Sequence, residues 1–339
     1  MPQSLRYLAV LTAFLFTAIA CDRTNPAATE VTLYNQSPEK GVRAGGVNII
    51  PVKTPSGTFN VWTKRIGNNP KMKVLLLHGG PGGNHGMFES FESYFPAEDI
   101  EFYYYDQLGS LNSDHPTDST LWTTPRFVEE VEQVRQALGL NKDNFFLLGH
   151  SWGGILALDY ALKYQQNLKG LIISNMMSSC PDYGKYAENV LAKQMDPRVL
   201  AEVRAIEARK DFSNPRYMEL LMPNFYEQHA CRLKPFPWAV NHFFTTVNST
   251  VYTLMQGPSE FGISGRLANW DRKADLKNIR VPTLTIGGQY DTMDPKHMAW
   301  MATQVQHGTS LICPNGSHCS MWDDQEHYFP GLIRFIKGV

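Results

Sequence analysis

The chain has 339 residues, which is enough for one large domain with an insertion or for two domains of ordinary size. Its 31 basic and 32 acidic side chains give a formal net charge of -1. This balance excludes the basic field that binds nucleic acid and the acidic tail of an interaction segment, and it favours a small molecule or a peptide as the partner.

The N-terminus predicts export. Arg6 precedes an uncharged apolar run that ends at Ala20, which is too short to span a bilayer comfortably but suits a signal peptide over residues 1–20. Small residues directly before Cys21 resemble the lipobox of bacterial lipoproteins, although Ala18 stands where that pattern prefers leucine. We expect lipid attachment at Cys21 and a location in the bacterial cell envelope or periplasm. Ordinary signal-peptidase cleavage beside an incidental cysteine is the alternative.

A polar segment follows and leads into β-rich runs. Residues 21–44 contain proline and little apolar periodicity, which is typical of a tether, so the folded part is predicted to begin near Gly45. From the third run onward the β-rich stretches are almost continuously apolar, as parallel strands covered on both faces require. The eight runs are 46–52, 59–66, 73–80, 101–107, 145–151, 168–175, 281–288 and 310–314.

Helical patterns alternate with the later runs, which predicts an α/β fold with a mostly parallel eight-stranded sheet and helices on both faces. The patterns cover 125–140, 155–165, 295–305 and 327–338. Between residues 179 and 271 the strand runs stop, and charged helix formers and aromatic residues are dense. We interpret 179–271 as a helical cap inserted into a core formed by 45–178 and 272–339.

Four further cysteines fall in the predicted folded part, namely Cys180, Cys231, Cys313 and Cys319. An exported protein reaches a compartment that permits disulfides, but spacing alone does not determine pairing. We interpret the four as small buried thiols. No Cys-x-x-Cys metal spacing occurs, and we expect neither a metal nor a cofactor.

The stretch "LLGHSWGGILAL" places Ser151 between Gly149 and Gly153 in a Gly-x-Ser-x-Gly pattern. The pattern stands after a predicted strand and before a predicted helix, as a nucleophile elbow requires, because the strained turn lifts the hydroxyl above the sheet. For the pentapeptide alone, an ordinary turn is the alternative. In this context Ser151 is predicted to be a catalytic nucleophile.

The stretch "HGGPGG", residues 78–83, follows an earlier predicted strand. In hydrolases with a nucleophile elbow, a loop at this place supplies half of the oxyanion hole. The backbone N–H of Gly80 is the expected first donor, and that of Trp152, next to the nucleophile, is the expected second. An ordinary glycine turn is the alternative, but the two motifs occur together in the expected order.

A serine hydroxyl needs a histidine to take its proton and an acid to orient that histidine, and this fold has the order serine, acid, histidine. Asp291 and Asp294 both follow the predicted strand 281–288. Asp294 precedes Pro295 and has the position of a helix N-cap. Asp291, in the loop itself, is therefore the predicted acid.

His318 is the predicted base, because it lies in a loop after the last predicted strand and before the last predicted helix. His307 precedes that strand, and His327 falls within the helical pattern. We expect His150, beside the nucleophile, to point to the other side of its strand. We expect His78 to have a structural role in the glycine loop, residues 78–83.

Six motifs in order extend this interpretation: "HGGPGG", "YDQLGS", "GHSWGG", "GPSEF", "GQYD" and "SHCSMWDD". Together they resemble the proline iminopeptidase family of α/β-hydrolases, near its branch of tricorn-interacting aminopeptidases. The resemblance extends over the whole predicted folded part. It implies Ser151 as nucleophile, Asp291 and His318 as its partners, and Gly80 with Trp152 as oxyanion donors, in agreement with the choices made from the pattern.

The helical cap of that family carries acidic groups that hold the free amino terminus of the substrate. The resemblance therefore implies substrate-binding roles for Glu219 in "PRYMELL" and for Glu260 in "GPSEF", where the match is closer. A solvated face is the alternative for any glutamate in a helical insertion. The chain departs from the family at Leu111 in "DQLGSLNS", where relatives often have glycine, so the resemblance does not fix the shape of that loop.

These observations predict an exported, lipid-anchored serine aminopeptidase that releases an N-terminal residue, with proline as the expected one, from short peptides through an acyl-enzyme. Its expected partners are peptides with a free N-terminus and, through the anchor only, a membrane. One alternative is an esterase or amino-acid amidase, because a fold and a triad do not fix the substrate. The other is a non-catalytic binding lipoprotein that presents the cap as a receptor surface.

Overall fold

The computed structural model describes residues 46–339. The predicted signal peptide 1–20, the predicted lipidation site Cys21 and the tether 21–44 lie outside these residues. Within the described range, eight strands form one sheet. Their bounds are β1 Gly46–Thr54, β2 Gly57–Ile66, β3 Lys73–Leu77, β4 Glu101–Asp106, β5 Phe145–His150, β6 Gly170–Ser174, β7 Thr283–Gly288 and β8 Gly308–Cys313.

The strands have the order β1-β2-β4-β3-β5-β6-β7-β8. β2 pairs antiparallel with β1 and with β4, whereas every pairing from β4 to β8 is parallel. All residues of β3 to β7 are buried, which explains why their sequences are nearly continuously apolar and do not alternate. The predicted architecture, a mostly parallel eight-stranded sheet, is confirmed.

Ten α-helices are found in the described residues. Their bounds are α1 Thr124–Ala137, α2 Trp152–Tyr164, α3 Cys180–Tyr186, α4 Pro197–Ala208, α5 Pro215–Leu221, α6 Trp238–Thr246, α7 Ser249–Met255, α8 Pro295–Gln304, α9 Ser320–Asp323 and α10 Gln325–Gly338. Tighter or wider helical turns cover His85–Ser93, Pro96–Glu98, Ser119–Leu121, Gln165–Asn167, Ala187–Leu191, Ala192–Gln194, Met222–Ala230 and Lys273–Asn278.

The core has one apolar layer on each face of the sheet. Leu75 and Leu77 of β3 belong to one layer and Val74 and Leu76 to the other, because successive side chains of a strand point to opposite faces. Helices α1, α2 and α8 cover the first face, and α10 with the turns of His85–Ser93 covers the second. Both faces of the sheet are thus covered, and the loops at the strand ends are free to carry functional residues.

The segment between β6 and β7 is helical and contains α3 to α7, with an apolar cluster of its own. Where this segment leaves and rejoins the sheet, Ser179 and Asp271 pair as an antiparallel bridge. Beside them the N–H of Arg272 donates to the carbonyl oxygen of Ser178 at 2.8 Å. This pairing forms a neck at the base of the helical cap.

The four cysteines of the described part are buried and have free thiols, which confirms their interpretation as small buried residues. Burial raises the pKa of Cys180 and of Cys231 to about 12, so both thiols are protonated at neutral pH and inert. Among residues 46–339, no helix combines the length and the apolar character that a membrane span requires.

Candidate active site

The loops that follow the parallel strands meet at one edge of the sheet. Because parallel strands end on the same side, the turns after β3, β5, β6, β7 and β8 gather there. In chain order they carry Gly80, Ser151, Asn175, Asp291 and His318. The topology therefore brings together polar residues that are far apart in sequence.

Ser151 lies in a strained turn between β5 and α2. Its φ of 55° and ψ of -127° form a conformation that a non-glycine residue adopts only at a cost. A side-chain carbon on Gly149 would lie 1.9 Å from the carbonyl oxygen of Gly153, and one on Gly153 would lie 2.0 Å from that of Leu77. Both glycines are therefore needed for the helix to approach the sheet behind the serine.

The backbone N–H groups of Gly80 and Trp152 are the predicted oxyanion donors. Gly80 has a φ of +112°, in the region that favours glycine, and Trp152 is the first residue of α2. In the described part of the chain, neither N–H donates to a backbone acceptor. Since buried N–H groups are almost always paired, two free donors beside Ser151 fit an anionic oxygen of a reacting group.

Asp291 and His318 form a buried pair. Nδ1 of His318 lies 2.8 Å from Oδ1 of Asp291, which leaves Nε2 as the nitrogen available for chemistry. Asp291 also accepts from the N–H of Met293 at 3.1 Å and from Nδ2 of Asn175 at 2.7 Å. These bonds hold the carboxylate in place to orient the imidazole.

The environment of His318 suits a general base. Burial alone would lower the pKa of His318, but the charge and hydrogen bond of Asp291 and the charge of Glu260 raise it above its ordinary value. The ring nitrogen Nδ1 contacts Asp291 and Thr292, and His318 lines the same cavity as Ser151 without a hydrogen bond to its hydroxyl. In free enzymes this bond is often long and shortens when substrate binds.

Asp294 is the helix N-cap that the sequence predicts. Its Oδ1 accepts from the N–H of Lys296 at 2.9 Å, and it is the N-cap of α8, directly before Pro295. The predicted N-cap is confirmed. Of the two candidate acids, only Asp291 contacts the ring of His318.

Glu260 is buried against the same cavity as the nucleophile and His318. Its Oε1 accepts from the hydroxyl of Tyr252 at 2.6 Å. Its backbone N–H donates to the hydroxyl of Tyr226 at 3.0 Å, and the hydroxyl of Tyr183 donates to its carbonyl oxygen. Burial raises the pKa of Glu260, whereas the charge of His318 and the bond from Tyr252 act against this rise. A bound cation would stabilise the ionised carboxylate.

The cavity at Ser151 is small. Its volume of about 20 Å³ is enough for about one water molecule. Apolar side chains of Met87, Phe243 and Phe244 line it, and both phenylalanines belong to α6 of the cap. Any larger molecule that reaches Ser151 therefore requires these side chains to move.

The chain is similar to known proteins over most of its length. The family model described as alpha/beta hydrolase fold matches residues 73–325. The proline iminopeptidase of Flavobacterium johnsoniae is 62% identical over 291 residues, which cover 86% of this chain and 98% of that protein. The proline iminopeptidase of Elizabethkingia meningoseptica is 64% identical over 293 residues, with the same two shares. The chain belongs to the proline iminopeptidase family.

A solved structure supports the same conclusion. The crystal structure of proline iminopeptidase from Mycobacterium smegmatis matches with a TM-score of 0.76 and 27% identity, covering 86% of this chain and 98% of that chain. The predicted α/β-hydrolase fold with its inserted helical cap is therefore confirmed, as is the family resemblance.

Leu111, at the position where the chain departs from the usual proline iminopeptidase pattern, has a positive φ. Leu111 has a φ of +21°, just inside the region that favours glycine, and Gly109 has a φ of +86°. The N–H of Ser110 donates to the carbonyl oxygen of Gln107 at 2.9 Å, and that of Ser113 to Ser110 at 2.8 Å. The loop is thus a closed turn despite the leucine.

Glu219, the other cap glutamate that the family resemblance implies, does not reach the cavity. Its side chain is 62% exposed, and its Oε2 lies 3.5 Å from Nη1 of Arg216. Helix α5 buries Tyr217, Leu220 and Leu221, and this packing leaves Glu219 on the outer face. The substrate-binding role expected for Glu219 is therefore corrected, and the alternative, a solvated helix face, describes it.

His150 lies closer to the chemistry than its place in a strand predicts. The ring centroids of His150 and His318 are 4.9 Å apart, and His150 lines the cavity. Strand β5 ends at His150, so the turn at Ser151 interrupts the alternation that would have directed the ring away. Burial and the charge of His318 lower the pKa of His150 well below its ordinary value, so it is a neutral ring packed on the base.

Asn175 is a site residue that sequence reasoning missed. It follows β6 with a φ of +53°, a left-handed conformation that asparagine adopts more readily than most residues. Its Nδ2 donates to Oδ2 of Asp291 at 2.7 Å and to the carbonyl oxygen of Ser317 at 3.1 Å. Asn175 thus joins the loops of the acid and the base. The available signal is an asparagine directly after the end of the strand sequence "LIIS".

The cap also holds the loop of the base. The N–H of His318 donates to the carbonyl oxygen of His229, and that of Cys319 to Ala230, both at 2.8 Å. The hydroxyl of Ser317 donates to the carbonyl oxygen of Ala230 at 2.9 Å. The position of the base therefore depends on the cap as well as on the sheet.

Proposed function

We propose that this protein is a serine aminopeptidase that releases an N-terminal proline from short peptides. The observation that carries the proposal is the place of Glu260, a buried carboxylate on the cavity of Ser151 and His318. In an aminopeptidase substrate the amino group lies two bonds from the scissile carbonyl carbon, about 2.5 Å away. Its anionic partner must therefore lie close to the nucleophile, and Glu260, a residue of the cap that lines the cavity of Ser151, supports this role.

The relatives support proline as the released residue. Two proteins named proline iminopeptidase share 62% and 64% identity with this chain, over 98% of their own length. The protonated secondary amine of an N-terminal proline carries two N–H donors and a positive charge, which a buried carboxylate can accept.

The reaction proceeds through an acyl-enzyme. Ser151 attacks the carbonyl carbon of the first residue while Nε2 of His318 takes the hydroxyl proton, and Asp291 orients the ring and stabilises its charged form. The N–H groups of Gly80 and Trp152 donate to the oxygen of the tetrahedral intermediate. His318 then gives the proton to the leaving amine, the C–N bond breaks, and water hydrolyses the ester on Ser151 by the same steps.

The position of Glu260 also predicts that the substrate must have a free N-terminus. A substrate ammonium would pair with a carboxylate that is largely buried, and a charge-assisted bond in such a place is strong. An N-acetylated peptide has no charge to offer, so its binding would desolvate the carboxylate without compensation.

Glu260→Gln keeps the shape of the side chain and removes its charge. We expect kcat/KM for proline naphthylamide to fall about 10- to 100-fold, because hydrogen bonds to charged groups contribute about 1.5–3 kcal/mol. At the pH optimum, hydrolysis of a simple acyl ester without an amine should hardly change, because the triad and the oxyanion donors are intact. Steady-state kinetics with both substrates measures the difference.

Glu219→Gln is the matched control, since Glu219 is an exposed cap glutamate, and it should change neither rate. In the ester assay, the acid limb of the Glu260→Gln pH profile should move to lower pH, because the charge of Glu260 helps to raise the pKa of His318. If the wild type turned over free-amine and N-acetyl substrates equally, the aminopeptidase proposal would fail, and an esterase or amidase would remain.

We further propose that the enzyme is exported and anchored by lipid at Cys21. The support is the N-terminal sequence, in which Arg6 precedes an apolar run that ends in small residues before the cysteine. Residues 21–44 would then tether the catalytic domain to a membrane in the cell envelope, where it acts on short peptides.

Cys21→Ala tests the anchor. In a bacterial host the full-length protein should fractionate with membranes, whereas the variant should become soluble or accumulate as an unprocessed precursor, because lipid attachment requires the thiol. Immunoblots of membrane and soluble fractions measure this, with Thr24→Ala as a control that should behave as the wild type. Normal processing and unchanged membrane association of Cys21→Ala would argue against lipid attachment.

A further inference from the structure

The loop after β4 carries the motif "YDQLGS", and the catalytic steps above use none of its residues. Gln107 of this motif is buried, with 1% of its surface exposed. In the sheet, β3 lies between β4 and β5. Gln107 therefore stands at the edge where the glycine loop after β3 and the nucleophile elbow after β5 meet.

The side chain of Gln107 bonds to both of these loops. Its Oε1 accepts from the indole N–H of Trp152 at 2.8 Å, and its Nε2 donates to the carbonyl oxygen of His78 at 3.0 Å. An indole N–H only donates and a carbonyl oxygen only accepts, so these partners fix the orientation of the amide. One side chain thus ties together the two segments that carry the oxyanion donors.

The backbone of Gln107 reaches one of these donors through His78. Its N–H donates to Nε2 of His78 at 3.1 Å, so Nδ1 carries the ring proton and donates to the carbonyl oxygen of Gly79 at 2.9 Å. Burial lowers the pKa of His78 to about 4, although the charge of Asp106 opposes this effect. The ring is therefore neutral at neutral pH and keeps this tautomer.

The carbonyl of Gly79 and the N–H of Gly80 belong to the same planar peptide unit. In a trans unit the N–H points opposite to the carbonyl, so a donor held on the oxygen of Gly79 also fixes the direction of the Gly80 N–H. The same bond polarises the amide and strengthens its N–H as a donor. His78 therefore aims the first oxyanion donor.

We propose that Gln107 is a positioning residue that sets the distance between the two oxyanion donors and their direction. Its side chain acts on the loop of Gly80 through the carbonyl oxygen of His78 and on Trp152 through the indole N–H. Its backbone N–H adds to this by fixing the ring of His78. This role rests on the serine hydrolase mechanism of the proposed function. Oxyanion donors stabilise charge that develops in the transition state, so displacing them slows the reaction and leaves substrate binding nearly unchanged.

Gln107→Leu removes both side-chain bonds and keeps the backbone bond to Nε2 of His78, so it tests the side-chain link between the two loops. We expect kcat to fall about 10- to 100-fold with little change in KM, because complete loss of one oxyanion donor costs about 10²–10³ in kcat and a displacement costs less. Gln165→Leu is the matched control. Gln165 also bonds two backbone groups, those of Asn278 and Arg280, but it precedes β6 at the opposite end of the sheet. Its kinetics should equal those of the wild type.

Two ligands distinguish displaced oxyanion donors from a general distortion of the site. Prolinal, the aldehyde of proline, forms a bond from its carbonyl carbon to Oγ of Ser151 while the hydroxyl proton passes to His318, and the former carbonyl oxygen becomes an oxyanion. Proline, the product, forms no such group. In Gln107→Leu the inhibition constant of prolinal should rise by about the same factor as kcat falls, while the dissociation constant of proline changes less than about twofold. Equal weakening of both ligands, or wild-type kcat, would overturn the proposal.

Trp152→Phe provides a second variant if Gln107→Leu does not fold. It removes the indole donor, keeps the backbone N–H, and should weaken prolinal more than proline; equal effects on both would overturn the proposal. Hydrolysis of the acyl ester distinguishes a failure of this proposal from a failure of the aminopeptidase assignment. Gln107→Leu should slow ester and free-amine substrates alike, whereas a wild type that hydrolyses only esters refutes the aminopeptidase and leaves the role of Gln107 to be measured on the ester.

Discussion

Ser151→Ala should lower kcat for proline naphthylamide by about 10⁴- to 10⁶-fold. The members of a triad act as a unit, so loss of the nucleophile leaves only the contributions of substrate binding and of the oxyanion donors. The variant should also lose its reaction with a fluorophosphonate probe, and in the wild type mass spectrometry should place the probe on Ser151.

Ser90→Ala is the control for this variant. Ser90 is also a buried serine, and its hydroxyl has no hydrogen-bond partner in the described part of the chain, so its loss should leave both turnover and labelling unchanged. Wild-type rates in Ser151→Ala would refute the nucleophile. A folded wild-type protein that neither reacts with the probe nor turns over substrate would support the non-catalytic binding lipoprotein.

Asp291→Asn should lower kcat by about 10⁴-fold, the size of effect that follows when a triad histidine loses its orienting carboxylate. The side-chain amide of this variant can offer an N–H to His318, and the ring would then hold its proton on Nε2, where the serine hydroxyl needs an acceptor. Measurements of kcat beside Tm distinguish this effect from loss of stability.

Asp294→Asn is the matched comparison three residues away. Its carboxylate caps α8 through the N–H of Lys296 and does not contact the ring of His318. Asparagine is also a good N-cap, so we expect kcat to change less than about twofold and stability by only a few tenths of a kcal/mol. The reverse ranking of the two variants would transfer the role of the acid to Asp294.

The fold could be predicted from the sequence because the strands β3 to β7 are buried on both faces and read as apolar runs. The predicted starts of strands and helices are less accurate where the first residues of an element are exposed or are not apolar. β8 begins at Gly308, two residues before its apolar run, because the first residues of this edge strand are exposed. Helix α2 begins at Trp152, three residues before the helical pattern, because Gly153 and Gly154 are poor helix formers and hide its first turn.

The positions of Ser151, Asp291 and His318 could be predicted, because each residue follows the end of a parallel strand; their catalytic roles stay predictions. The sequence alone does not show which of the two cap glutamates, Glu219 or Glu260, reaches the cavity of Ser151. The packing of α5 decides which face of that short helix is buried, and this depends on residues elsewhere in the cap. The roles of Asn175 and Gln107 depend on hydrogen bonds between loops, which no local pattern encodes.

The hydrogen bonds from the cap to the loop of the base limit how this scaffold can be re-engineered. In a chimera that received the cap of a relative with another preference, the backbone carbonyls that accept from the N–H groups of His318 and Cys319 would come from the new cap, and any shift in their position would reach the loop of the base. The recognition surface and the proton-transfer machinery of the chimera would change together. A chimera that keeps His229 and Ala230 of this chain should change substrate specificity without displacing the loop of the base. The exchanged segment should therefore end within the cap and not at the neck formed by Ser179 and Asp271.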